Sequence, residues 1–172
     1  MRAIRLLAVL SEVLRRTASA FCLVAMSVIV CDVLFGIVAR VVMKQPPVWT
    51  EELARYLFVW VTFLGATAIY STGENIVVDL ILRIVPPRAV RYLSVFAHVV
   101  VGVIALFMVT QGISIIERTM AQRSSVMQLS FGLIYSAIPI SGTILIVHTA
   151  SATLRALTSA APTMESDQPQ GW

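Results

Sequence analysis

The chain has 172 residues, of which 58% are hydrophobic and 13% are charged, and its mean hydropathy is +0.88. Polar side chains are too few to cover a soluble globule of this length, so the composition predicts an all-α integral membrane protein. The formal net charge is +4, but the basic residues lie at the ends of apolar runs rather than along one stripe. That placement indicates contacts with membrane lipid and no nucleic-acid partner.

Residues 1–16 carry apolar side chains at helical spacing, with most of the charged side chains on the opposite side. The pattern predicts an N-terminal amphipathic helix on the cytoplasmic surface of the membrane. Ala18-Ser19-Ala20 resembles a signal-peptide cleavage site, but the apolar run follows this site instead of preceding it. We therefore expect the segment to remain uncleaved.

A membrane domain with four transmembrane helices is predicted for residues 17–154. The spans cover residues of about 18–41, 50–71, 92–115 and 130–152. Pro139 lies inside the fourth span and is expected to kink it, because proline frees the carbonyl of Tyr135. Residues 155–172 are rich in Ser, Thr, Ala and Pro and predict a disordered cytoplasmic tail.

Between the second and third spans, residues 76–85 carry apolar side chains on one face, while Asp79 and Arg83 pair on the other. This stretch is too short and too charged to cross a membrane. It predicts a short interfacial helix.

The basic residues also predict the orientation in the membrane. Eight of them fall on the side of the two termini and five on the other side. Since basic residues concentrate on the cytoplasmic side, both termini are expected in the cytoplasm.

The second span begins with a cluster of charged and aromatic side chains that leads directly into an uncharged apolar helix. Thr50 is expected to cap this helix, with Glu51 and Glu52 in the first turn, where the helix dipole favours carboxylates. Trp49 suits the interfacial aromatic belt, and Arg55 is expected to extend outward to the headgroups. The cluster therefore marks the place where the helix enters the membrane.

The pattern W-x-E-E-L-A-R-x-x-x-x-W-x-x-F-L-G-A in this stretch resembles the signature of the small, Q-type (DctQ-like) membrane subunit of TRAP transporters, the tripartite ATP-independent periplasmic uptake systems for organic acids. The residues that carry the resemblance are Trp49, Glu51, Glu52, Leu53, Arg55, Trp60, Gly65 and Ala66. A weaker resemblance extends to Arg40, Asp79 and the Tyr135-x-x-x-Pro139 pattern. It covers most of the chain apart from the two tails.

The resemblance implies a small permease subunit of the bacterial inner membrane, without enzymatic activity and without a cofactor. Its partners would be a large multi-span membrane subunit and a periplasmic solute-binding protein. Its role would be to scaffold the large subunit during uptake of an organic acid, usually driven by a sodium gradient. The sequence itself shows no Cys/His metal spacing, glycine-rich phosphate loop or nucleophile elbow.

Arg40 ends the first span on the side where Glu51 and Glu52 begin the second. We expect a desolvated ion pair that clamps the two helices, with Glu52 as the partner of Arg40 and Glu51 facing away. A docking surface for the solute-binding protein is the alternative, and both interpretations can hold at once.

Three ionisable residues lie within predicted spans: Asp32 in the first, His98 in the third and His148 in the fourth. Asp32 is either an ion site or an acid that is protonated or hydrogen-bonded inside the protein or against a partner subunit, and we favour the second interpretation. The histidines are expected to form hydrogen bonds between helices. A haem-binding electron-transfer subunit with His98 and His148 as ligands, or a self-assembling channel lined by Asp32, are the alternative functions.

Overall fold

The protein is described here by a computed structural model that covers residues 2–44, 47–71 and 87–158. The helices are α1 (Arg2–Met43), α2 (Val48–Ser71), α3 (Pro87–Thr119), α4 (Phe131–Tyr135) and α5 (Ala137–Thr158). Among the described residues, four helical stretches are long and apolar enough to cross a membrane: Val9–Val42, Val48–Ser71, Val95–Thr119 and Phe131–Leu154. The prediction of an all-α membrane protein with four spans is confirmed.

Some predicted boundaries fall elsewhere in the structure. α3 begins at Pro87, since proline is well tolerated at the first helical position, where its missing N–H has no partner in any case. α5 continues to Thr158, so residues 155–158 of the predicted tail are helical. The predicted interfacial helix, including Asp79, lies outside the described residues, as do residues 159–172.

α1 is one helix of 42 residues, with no break at residue 17, where the sequence predicted a boundary. At about 1.5 Å per residue it measures about 63 Å, twice the hydrocarbon thickness of about 30 Å. Glu12 pairs with Arg15 at 2.6 Å and with Arg16 at 2.7 Å, which forms a cluster of charges near the start of α1. The position of residues 1–16 on the membrane surface stays a prediction.

α1 contacts the rest of the chain through a narrow seam. Its buried residues recur at intervals of seven: Ser11, Ala18, Ala25, Asp32 and Ala39. A strict seven-residue repeat keeps one stripe of a helix against its neighbours, and small side chains on that stripe allow close approach. Most of the large apolar side chains of α1 are consequently exposed on the outside of the bundle.

α5 holds the bundle together, because it packs against α1, α2 and α3, while α1 pairs mainly with α2. Ala18 of α1 and Leu64 and Ala68 of α2 form a small core, with Ile144 of α5 packed against it. Nearby, the Cys22 thiol lies 3.8 Å from the carbonyl oxygen of Val61. These contacts join the α1–α2 pair to α5.

α3 and α5 approach each other closely at two glycines. A Cβ added to Gly112 would lie 2.7 Å from Cδ of Pro139, and one added to Gly142 would lie 3.0 Å from the carbonyl oxygen of Ala105. The first distance is too short for a real side chain, and the second is tighter than most real Cβ contacts. The absence of a side chain at these two positions therefore sets the spacing of the pair.

The fourth span is divided at Ser136 into α4 and α5. Backbone hydrogen bonds cross the junction, from the Ser136 amide to the Gly132 carbonyl (3.0 Å) and from the Ile140 amide to the Ser136 carbonyl (3.2 Å). Pro139 is the third residue of α5, in the first turn, where a missing N–H costs little. The sequence predicted a kink at Pro139, whereas the fourth span is divided at Ser136, about one turn earlier.

Candidate functional site

The motif at the start of α2 lies at the end of the bundle opposite the start of α1 and the end of α5, beside the connection between α3 and α4 (residues 120–130). Helix α2 begins at Val48, so Thr50 is already inside it. The Thr50 side chain is buried, and its hydroxyl donates to the Pro47 carbonyl at 2.9 Å. The expectation that Thr50 caps the helix is therefore wrong, because the helix starts two residues earlier.

Arg40 pairs with Glu51, whose Oε1 lies 3.5 Å from Nη2 of the guanidinium. The expectation that Glu52 is the partner is wrong, because the two carboxylates point away from each other. The side chains of Arg40 and Glu51 are 64% and 71% exposed. In water an exposed pair of this length stabilises a protein by at most about 1 kcal/mol, so the pair lacks the desolvation that a strong clamp requires.

Glu52 instead links α2 to the 120–130 connection. Its Oε1 accepts a hydrogen bond from the Tyr56 hydroxyl at 2.6 Å, and its Oε2 accepts one from the Met127 amide at 2.7 Å. Hydrogen bonds to a carboxylate are shorter and stronger than bonds between neutral groups. One side chain thereby holds a helix and a connection that are 75 residues apart in the sequence.

The 120–130 connection is a compact turn rather than an open loop. The Ser124 amide donates to the Leu129 carbonyl at 2.9 Å, and the Phe131 amide donates to the Gln122 carbonyl at 3.0 Å. Gln128 takes a left-handed backbone conformation with φ of 55°. These bonds present the Met127 amide toward Glu52.

Ser130 joins this turn to α4 as its N-cap. The Ser130 hydroxyl oxygen accepts from the Gly132 amide at 3.2 Å and donates to the Met120 carbonyl at 2.8 Å. Phe131, the first residue of α4, meets Tyr56 edge to face, with ring centroids 6.2 Å apart. The ring of Tyr56 therefore packs against α4 while its hydroxyl donates to Glu52.

The two tryptophans of the motif pack against α1. Trp49 lies 6.0 Å from Phe35, and Trp60 lies 5.8 Å from Phe21, measured between ring centroids. A Cβ added to Gly65 would lie 3.8 Å from the Cys22 sulfur, which is an ordinary van der Waals contact. Arg55 is exposed. The motif thus serves mainly to attach α2 to α1 and to the 120–130 connection.

The three ionisable residues inside the spans have different surroundings. His98 is hydrogen-bonded through Nδ1 to the Tyr70 hydroxyl at 2.8 Å. His148 and Asp32 are buried, and among the described residues neither Nε2 of His148 nor either carboxyl oxygen of Asp32 has a hydrogen-bond partner. Within the same part of the chain, no group of three or more His, Cys, Asp and Glu residues is arranged to hold a metal ion.

Sequence reasoning missed the role of the 120–130 connection, whose Met127 amide donates to Glu52. A signal existed in Tyr56, since residues four apart on a helix lie on the same face and its hydroxyl can reach Glu52. The partner on the other side is a backbone amide. No residue type in the sequence identifies such a partner.

Comparison with known proteins connects this arrangement to one family. The model of the family "Tripartite ATP-independent periplasmic transporters, DctQ component" matches residues 29–159, which is more than half of the chain. The match includes Asp32, the whole motif of α2 and the 120–130 connection. The comparisons give no support to a haem-binding subunit or a channel.

Three curated relatives are TRAP permeases. The isethionate TRAP transporter permease DctMQ of Oleidesulfovibrio alaskensis is 29% identical over 96 residues, which cover 55% of this chain and 15% of the relative. The sialic acid TRAP transporter permease SiaT of Haemophilus influenzae is 26% identical over 104 residues, covering 60% of this chain and 17% of the relative.

The third relative, a TRAP transporter small permease protein described as putative in its name, also from Haemophilus influenzae, is 40% identical over 38 residues, covering 22% of this chain and 24% of the relative. The matched part of this chain thus spans less than a quarter of the length of each of these relatives. With residues 29–159 matched by the family model, the chain belongs to the DctQ family, the small permease component of the tripartite ATP-independent periplasmic transporters.

Proposed function

We propose that this chain scaffolds a large multi-span transport subunit during ion-gradient-driven uptake of an organic acid delivered by a periplasmic solute-binding protein. The observation that carries the proposal is the DctQ match over residues 29–159. Two relatives are named as permeases for isethionate and for sialic acid, which are both organic acids. An organic acid is therefore the substrate class that we assign to the complete transporter.

The packing of the bundle supports a scaffold rather than a carrier. Secondary transporters bind their solute near the middle of the membrane, between paired discontinuous helices. Here α1, α2 and α3 are continuous, and Ala18, Leu64 and Ala68 form a packed apolar core between α1 and α2. The chain also exposes far more apolar side chains than it buries, which suits contact with lipid and with a larger membrane subunit.

The proposed setting is the bacterial inner membrane, with both termini in the cytoplasm. The excess of basic residues on the side of the termini supports this orientation. The Glu52 end of the bundle would then face the periplasm. The 120–130 connection, held in one conformation by Glu52, would be available there to a solute-binding protein.

The test is co-purification combined with transport. Tagged chain should co-purify with the large permease subunit of its own transporter in mild detergent. Membranes that contain the chain alone should show no solute-specific uptake, whereas membranes with all three components should show it. Uptake by the isolated chain would identify it as a carrier, and failure to co-purify would exclude the scaffold.

A further inference from the structure

An open groove of about 610 Å³ runs along the outer surface between α1 and α2. Its α1 side extends from Leu23 to Phe35, and its α2 side is formed by Trp49 and Leu53. Twelve residues of helix correspond to about 18 Å, or just over three turns. The groove therefore has the length of a helix contact within the membrane.

Asp32 lines this groove in the middle of the first span. It is 7% exposed, and neither carboxyl oxygen has a hydrogen-bond partner among the described residues. The neighbouring Ser27 does not supply a donor to it, because its hydroxyl donates to the Leu23 carbonyl at 2.8 Å. A carboxyl group at the centre of a membrane helix is costly unless it is paired or hydrogen-bonded.

Lipid cannot satisfy this carboxyl group, because acyl chains contain no hydrogen-bond donor and water is scarce in the hydrocarbon core. A protein segment that lies in the groove can supply the donor that lipid lacks. Ser27 and Cys31 line the groove beside Asp32 and are small enough for a second helix to approach closely. Both carboxyl oxygens are buried beside the groove, so pairing with that helix requires the Asp32 side chain to rotate toward it.

We propose that this groove receives one transmembrane helix of the large permease subunit, and that a hydrogen-bond donor side chain on this helix pairs with Asp32. The inference rests on the proposed scaffold function. The part of the DctMQ and SiaT permeases that matches this chain is 15% and 17% of their length. Each of those permeases therefore has much additional polypeptide beyond the part that corresponds to this bundle.

The position of the helix is tested by photo-crosslinking in the assembled complex. A photoreactive amino acid replaces either Val28, which lines the groove, or Val30, which is exposed but lies outside it. Two residues along a helix correspond to a rotation of about 200°, so the two positions face different surroundings at the same depth. We expect a crosslink to the large subunit from position 28 and little or none from position 30. Crosslinking from both positions equally, or from position 30 alone, would overturn the proposal.

The role of the carboxyl group is tested with Asp32→Ala and Asp32→Asn. We expect Asp32→Ala to lower the amount of co-purified large subunit about threefold to twentyfold, the range for one hydrogen bond between membrane helices. Asp32→Asn should retain most of it, because the amide keeps an acceptor oxygen. Val30→Ala is the matched control and should change nothing. Unchanged co-purification with Asp32→Ala would overturn the proposal.

Thermal denaturation of the isolated chain distinguishes pairing of Asp32 with the large subunit from a role of Asp32 in the stability of its own bundle. Because Asp32 has no donor among the described residues, Asp32→Ala should leave the thermal midpoint of the isolated chain unchanged or raise it. A lower midpoint without the large subunit would show that Asp32 supports only its own bundle and would overturn the proposal. If the wild-type chain fails to co-purify, the scaffold function and this inference fail together, whereas loss of the crosslink alone leaves the scaffold intact.

Discussion

The carboxylate of Glu52 accepts the backbone amide of Met127 at 2.7 Å, across a sequence separation of 75 residues. A second hydrogen bond, from the Tyr56 hydroxyl, fixes the other oxygen of the same carboxylate. Because the connection is a turn with its own backbone bonds, holding one amide positions the whole turn. Glu52 therefore connects the start of α2 to a turn that is 75 residues away in the sequence.

Replacement of Glu52 by Ala should release the 120–130 connection from α2. We expect amide hydrogen exchange over residues 124–130 to accelerate by about tenfold or more, since the Met127 amide loses its acceptor and local opening becomes easier. The measurement is hydrogen–deuterium exchange followed by mass spectrometry. Glu51→Ala is the matched control and should leave exchange in this segment unchanged, because Glu51 faces Arg40. Equal exchange in wild type and Glu52→Ala would contradict the anchoring role.

Arg40→Ala should have a small effect on the stability of the chain. The pair with Glu51 is exposed and 3.5 Å long, so we expect a loss of at most about 1 kcal/mol in the free energy of unfolding. Thermal denaturation in detergent measures it, and the double exchange Arg40→Glu with Glu51→Arg should restore the wild-type midpoint. A loss of several kcal/mol would show that the pair is desolvated in the membrane-embedded protein.

Gly112→Ala should disturb the packing of α3 on α5. The added Cβ would lie 2.7 Å from Cδ of Pro139, so the two helices must shift, and we expect a destabilisation of about 1–3 kcal/mol. Gly65→Ala is the matched control, because its Cβ would lie 3.8 Å from the Cys22 sulfur and a helix interior favours alanine. Denaturation midpoints of the two variants provide the comparison. Equal midpoints would mean that α3 and α5 are less closely packed than described.

The sequence predicted the number and approximate position of the spans because each apolar run is long enough for the bilayer and is bounded by charges. It also identified Glu51, Glu52 and Arg40 as neighbours, since they flank one short turn. It assigned the wrong carboxylate to Arg40. Glu51 and Glu52 lie about 100° apart around the axis of α2, and the sequence does not show which of these two directions faces α1. The Glu52–Met127 bond was beyond prediction, since it depends on the path of a backbone turn distant in sequence.

Topology is tested at Lys44, which follows the end of α1 and is exposed. A cysteine at this position should react with a membrane-impermeant thiol reagent added from the periplasmic side of intact cells. A reporter fused after Trp172 should be active only in the cytoplasm. Reporters that place both positions on the same side would contradict the model of four spans with both termini in the cytoplasm.

The hydrogen bond between Tyr70 and His98 should contribute a measurable coupling between α2 and α3. Its length is 2.8 Å, and the two rings also meet edge to face with centroids 6.3 Å apart. Hydrogen bonds between membrane helices contribute about 0.6 kcal/mol on average and up to about 1.7 kcal/mol. We therefore expect Tyr70→Phe to lower the free energy of unfolding by an amount in this range. In the double-mutant cycle with His98→Ala, the combined loss should be smaller than the sum of the two single losses, because both substitutions remove the same bond. Denaturation of the four proteins in one detergent supplies the cycle, and strictly additive effects would show that the two side chains do not interact.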